Sequence, residues 1–255
     1  MSTNPTLLCR WQPYYDAQTI FAMISKLGSV VSANFSHALP YQYLLAASNI
    51  PQAGADNMLS AGEKDFAGHF SAQMLNEANA NFVLLGELEH RHLLQEDNAT
   101  INTKVRKALE GNVRVMLCIS NVREIEPCLH DVPQELYDKI TLIYQGPWAG
   151  FYKDRGLIED LQSALQVVEH TGLHIPLLLA LPSRVSHMKE IVNATVTHCA
   201  GYYFAKATVA PQTIVDFAKA INEWQPPQKQ EEEVAPAPVE DPPPPEEEPT
   251  DTQDA

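Results

Sequence analysis

Apolar runs of β-type residues alternate along this chain with segments of helical periodicity, the pattern of repeated βα units on a parallel sheet. The runs predict strands near residues 6–11, 29–35, 50–55, 81–86, 113–119, 140–145, 175–181 and 200–205. Helical spacing falls near 16–27, 40–47, 70–78, 99–110, 133–138, 157–171, 185–193 and 211–223. Eight of each close an α/β fold of the (β/α)8 barrel type, although the fifth helix is thin. After Trp224 the periodicity stops. The stretch QPPQKQEEEVAPAPVEDPPPPEEEPTDTQDA has almost no large apolar residues and cannot bury enough surface to offset its ordering entropy. The expected organisation is therefore a barrel over 1–224 and a disordered acidic Pro/Glu-rich tail over 225–255, with polyproline II character and a possible role as a docking segment for a protein partner.

Bulk properties narrow the function. A chain of 255 residues with 45% hydrophobic residues fits one barrel with a sizeable core. No apolar run approaches the ~20 residues that span a bilayer, and the polar opening MSTNPT argues against a secretory leader. The net charge is −15, of which the tail holds −9 through ten Asp and Glu against one Lys. Such a balance repels phosphates and speaks against nucleic acid as a partner. Cys9, Cys118, Cys128 and Cys199 are scattered without paired spacing, as reduced thiols in a cytoplasmic protein would be.

Residues 82–119, FVLLGELEHRHLLQEDNATINTKVRKALEGNVRVMLCI, carry the strongest motif signal. They resemble the triosephosphate isomerase family between its fourth and fifth strands, written there as V-I-L-G-H-S-E-R-R-H, then F-G-E, N-K-K-V and I-L-C-I-G. Gly86, Glu89, Arg91, His92, Glu96, Asn102, Lys104, Val105, Leu117, Cys118 and Ile119 fall in register. Further matches follow in order. Cys9–Gln12 sits on G-N-W-K, Ala55-Asp56-Asn57 on A-Q-N, Phe66–Leu75 on A-F-T-G-E-I-S-A-E-M-L, Tyr144–Ala149 on Y-E-P-V-W-A, and Gly201–Val209 on G-F-L-V-G-G-A-S-L. The resemblance covers most of residues 7–222 and implies a (β/α)8 barrel. It also marks the fifth βα unit, between Ile119 and Ile140, as about half the usual length.

What the resemblance implies about chemistry is mostly loss. The family isomerises an aldose and a ketose phosphate with a glutamate base and a neutral imidazole electrophile, and triosephosphate isomerase is itself the standard example of that pairing. The base position here is Gln145, whose amide has no useful proton affinity near neutral pH. The electrophile position is Glu87, whose charge would oppose a developing enediolate. The substrate lysine position is Gln12, and the asparagine position is Arg10. No catalytic residue is therefore expected. The change of both Arg10 and Glu87 from neutral to opposite charges predicts an ion pair at the barrel mouth. The lid after Trp148-Ala149 gains the bulky Phe151 and Tyr152, and Y-G-G-S-V becomes Leu181–Val185. The last loop's G-G becomes Ala205-Lys206, so backbone phosphate donors are lost.

Arg10, Arg184 and Lys206 leave a side-chain anion site open, set against the plain reading that isolated basic residues are solvated surface. Glu89-His90-Arg91-His92 has a His-x-His spacing, yet a metal needs three or four converging ligands, and none is expected. No cofactor is implied. The leading reading is a non-catalytic family member acting as a scaffold or assembly subunit. It is held beside two others: an active isomerase with relocated residues, and a small-anion binder or new enzyme using Arg10 and Glu87. In the family, the third loop, here residues 56–69, reaches into a neighbouring subunit. That implies a homodimer, or a hetero-partner in place of the second copy.

Overall fold

A computed structural model describes residues 5–47, 49–59, 70–150 and 156–226. Its centre is a closed barrel of eight parallel strands in sequence order. The strands are β1 Thr6–Arg10, β2 Asn34–Leu39, β3 Ala53–Ala55, β4 Phe82–Leu85, β5 Arg114–Ile119, β6 Ile140–Tyr144, β7 Leu177–Leu181 and β8 Gly201–Phe204. The helices are α1 Ala17–Val30, α2 Tyr41–Leu44, α3 Ala72–Glu77, α4 Leu88–Leu93, α5 Asn98–Glu110, α6 Ile125–Cys128, α7 Leu157–Glu169, α8 Met188–Thr195 and α9 Pro211–Glu223. The ring closes where Thr6 to Cys9 register with Gly201 to Phe204. Gly201 makes that closure possible: a Cβ there would stand 2.0 Å from the Thr6 carbonyl oxygen.

Local chemistry accounts for the helices that cover the barrel. Asp16 caps α1 by accepting from the Thr19 amide at 2.9 Å, and Ile20, Ile24 and Leu27 form its buried stripe. Asp97 caps α5 in the same way at 2.8 Å, with Ile101, Val105 and Ala108 turned inward. Each buried Ile or Leu on these stripes contributes about 1.5–3 kcal/mol by leaving water.

Several expectations change. The second strand lies at Asn34–Leu39 rather than 29–35, because the apolar pair Val30-Val31 ends α1 and caps it. The strand is hard to see in the pattern, since its buried positions include the polar residues Ser36 and His37, one on each face. Between β5 and β6 the helix expected near 133–138 is a 3-10 helix rather than an α-helix. The short connection forms a 3-10 turn at Val122–Glu124, the four-residue α6, and a 3-10 segment at Gln134–Lys139. The expected helices near 40–47 and 185–193 shorten to α2 and α8, and α4 was not anticipated. Residues 227–255 of the tail assigned to 225–255, the third-loop residues 60–69, and the lid residues Phe151 and Tyr152 lie outside the described residues.

His37 shows how tightly the layer outside the strands is built. It is 5% exposed, stacks on Phe35, and its Nδ1 accepts from the Trp11 indole at 3.1 Å. Burial lowers its pKa to about 4, so the folded protein holds it neutral while the unfolded chain protonates near 6.5. In that window the unfolded state binds more protons, so stability rises with pH and is lost on acidification from about 6.5 towards 4. The expected loss is about 3 kcal/mol. His37→Asn keeps an acceptor for Trp11 and should flatten much of this dependence, as read from urea midpoints between pH 7 and 4.5.

Candidate functional site: a closed charge cluster at the barrel mouth

The C-terminal ends of four strands deliver polar groups to one place. Arg10 ends β1, Asp56 follows β3, Glu87 stands two residues beyond β4, and Gln145 follows β6. Arg10 Nε lies 2.8 and 2.9 Å from the two Asp56 oxygens, a chelating contact. Its Nη1 donates to Glu89 Oε2 at 2.8 Å and lies 3.4 Å from Glu87 Oε2. The expected Arg10–Glu87 pair is present, but it is the longest of three. Arg10 is shared among carboxylates, and Asp56 is its principal partner.

Glu87 is equally committed. Oε1 accepts from Gln145 Nε2 at 2.9 Å, and Oε2 accepts from the Glu89 amide at 2.7 Å, which makes Glu87 the N-cap of α4. Gln145 Oε1 in turn accepts from the Leu88 amide at 3.1 Å. Gly86 sets up this turn with a φ of +73°, where an added Cβ would meet the Cys118 carbonyl at 2.7 Å. Arg91 locks it from outside, donating to the Gly86 carbonyl at 2.9 Å and to Asn98 Oδ1 at 2.7 Å. A second buried unit holds the base of the third loop: Lys104 Nζ donates to Glu96 at 2.6 Å and to Asn57 at 2.9 Å.

Burial decides the electrostatics. Arg10, Gln12, Glu87 and Gln145 are each 2–4% exposed. Desolvation acts first on Arg10 and would lower its pKa, but Asp56 and Glu87 outweigh it and hold the guanidinium charged. Burial pushes the Asp56 carboxyl up, and Arg10 draws it back only in part. Tyr203 on β8 is pushed well above the usual phenol range by burial and then by Glu87, so it stays a neutral phenol. Gln12 and Tyr203 are among the unmatched side chains at this end. Both polar atoms of Gln12 and the Tyr203 hydroxyl are buried and make no hydrogen bond among the described residues. Gln12 is nonetheless fixed through its backbone, which exchanges bonds with Thr208 at 2.8 and 3.2 Å across the β1–β8 seam.

Arg10, Glu87 and Gln145 thus come together, and Gln12 shares their burial. The other anion candidates do not join them: Arg184 is exposed, Lys206 is half-buried, and no hydrogen bond or ion pair among the described residues links either to the Arg10 cluster. Sequence reasoning missed Asp56, Glu89 and Tyr203 as members. The signal for Asp56 was available, since it puts an acid where the motif A-Q-N has an amide. Trp148 anchors the base of the sixth loop by donating to the Ala180 carbonyl at 2.9 Å. Among the described residues no group of three His, Cys, Asp or Glu converges as a metal site, no helix is long and apolar enough to cross a membrane, and all four cysteines are free and buried.

Comparison with known proteins agrees with this geometry. The family model described as triosephosphate isomerase matches residues 14–139. The chain belongs to the triosephosphate isomerase family. A triosephosphate isomerase of Protochlamydia amoebophila is 39% identical over 110 residues, covering 38% of this chain and 42% of that protein. One from Taenia solium is 26% identical over 155 residues, covering 53% and 62%. The chain thus spans about half the length of the curated relatives it matches. The crystal structure of triosephosphate isomerase from Bartonella henselae superimposes with a TM-score of 0.70 at 19% identity, over 86% of this chain and all of that one.

The cluster makes a stability prediction. Arg10→Met leaves Asp56 and Glu87 buried without a cation and should cost about 3–5 kcal/mol in urea unfolding. Adding Glu87→Gln alone should restore little, because Asp56 remains uncompensated. The triple variant with Asp56→Asn and Glu87→Gln should recover more than half of the loss. Glu89, with its side chain 41% exposed, should matter least.

Proposed function

We propose that this chain is a catalytically inactive member of the triosephosphate isomerase family that serves in the cytoplasm as a scaffold or assembly subunit. One observation carries the reading. The groups at the base and electrophile positions, Gln145 and Glu87, are hydrogen-bonded to each other at 2.9 Å and buried. An amide that donates to a carboxylate has no lone pair of useful basicity for a carbon-bound proton. Both Glu87 oxygens are already occupied, and the nearby cation is held by acids rather than left for a phosphate. Losses at several cooperating positions leave little of a rate enhancement behind.

The surface supports the assembly half of the reading. Leu93 and Leu94 at the end of α4 are 79% and 60% exposed, beside Glu96, which accepts from Asn57 at the base of the third loop. Tyr14, Tyr15 and Leu45 are further large exposed apolar residues, and Tyr43 ties the first two loops together by donating to the Tyr15 carbonyl. Leu93 and Leu94 are neighbours in the chain, and contiguous exposed apolar surface is what an interaction site offers. A second reading, binding of a small anion by Arg184 and Lys206, is favoured by the unmatched amide of Gln12.

Two measurements test the proposal. Purified protein assayed with glyceraldehyde 3-phosphate should show no turnover above host background, and Gln145→Glu alone should not create any. Turnover that persists in purified wild type and disappears in a Glu87 variant would establish an active enzyme instead. Light scattering at tens of micromolar should report a dimer that Leu93→Ser/Leu94→Ser shifts towards monomer. A wild-type monomer would reject self-association and favour a different partner on the same face.

A further inference from the structure

The opposite end of the barrel carries a feature that this reading does not use. A cavity of about 420 Å³ opens at the N-terminal ends of the strands. Its rim is made by Asn34 on β2, Gln52 before β3, Asn81 before β4 and Arg114 at the start of β5, all exposed. Its floor includes the buried Ser36 and Phe82. The volume lies within the range of small-molecule sites, which pair an apolar floor with a few placed polar groups.

The hydrogen-bonding capacity of the rim is only partly used. Asn34 donates to Thr6 Oγ1 at 3.0 Å and Asn81 donates to the Ala53 carbonyl at 3.2 Å, which leaves both amide oxygens as acceptors. Among the described residues, neither the Gln52 amide nor the Arg114 guanidinium has a side-chain partner. No Asp or Glu lines the cavity, although the chain as a whole carries −15. One unpaired planar cation, ringed by neutral amides and hydroxyls, is a particular chemistry. The guanidinium matches a carboxylate bidentately, and amides serve alcohols both as donors and as acceptors.

We infer that this cavity is a binding site for a small polyhydroxylated monocarboxylate, a sugar acid, with Arg114 holding the carboxylate and Asn34, Gln52 and Asn81 reading hydroxyls. A single cation balances a single negative charge. A dianionic phosphate would leave one charge uncompensated in an already acidic protein, so the monoanion is the better match.

The test uses the full-length protein with gluconate as probe, and sorbitol and inorganic phosphate as controls, followed by calorimetry or ligand-observed NMR. Gluconate should bind in the millimolar range or tighter, and sorbitol, which lacks the charge, at least about ten-fold more weakly. Arg114→Gln, an exposed change that should leave the circular dichroism and thermal midpoint intact, should weaken gluconate by a similar factor. Asn81→Leu should weaken gluconate and sorbitol alike. No gluconate binding at tens of millimolar overturns the inference. So does gluconate binding untouched by Arg114→Gln, or phosphate binding as tight as gluconate. Loss of binding in Arg184→Gln with Arg114→Gln unaffected would place the anion at the barrel mouth and equally overturn it.

Discussion

The guanidinium of Arg10, buried among Asp56, Glu87 and Glu89, is the constraint around which the mouth of this barrel is arranged. A desolvated cation is tolerated only where acids surround it, and desolvated acids only where a cation does. The strands meet that condition because their C-terminal ends converge: β1 brings the cation, and β3 and β4 lead directly into the acids. Glu87 then passes the constraint on, orienting Gln145 from β6 and capping α4. The end of the barrel where ligands ordinarily sit is thereby occupied by the protein's own side chains.

The fold itself does not rest on that cluster. Thr208 stitches the β1–β8 seam to Gln12, Trp148 pins the sixth loop to β7, and Arg91 ties the turn after β4 to α5. These bonds run through the Gln12 backbone and through side chains outside the Arg10 cluster, so the form of the barrel and the chemistry of its mouth are separately supported.

Much of this was legible in the sequence. Seven of the eight strands fall where apolar runs predicted them, because strands buried on both faces read as continuous hydrophobic segments. The second does not, since His37 is buried through a bond to Trp11 rather than through its own apolarity. Short helices such as α4 and α6 have too few turns to establish a period. At the site, opposite charges at positions 10 and 87 pointed to a pair. Nothing in the spacing of residues 87 and 145 reveals that their side chains meet at 2.9 Å. Asp56 was visible as an acid but not as the closest partner, because sequence reports charge without distance.

The bond from the Glu89 amide to Glu87 Oε2 limits what position 87 can become. A residue that has become a helix cap, a hydrogen-bond acceptor for Gln145 and a counter-ion for Arg10 can no longer be exchanged for an imidazole by itself. Placing a histidine at position 87 would strip α4 of its cap and leave Arg10 and Gln145 each short of a partner. A single substitution at position 87 therefore costs stability at three contacts at once. The mouth of the barrel is thus knit into one unit, whose members can be exchanged together more cheaply than one at a time.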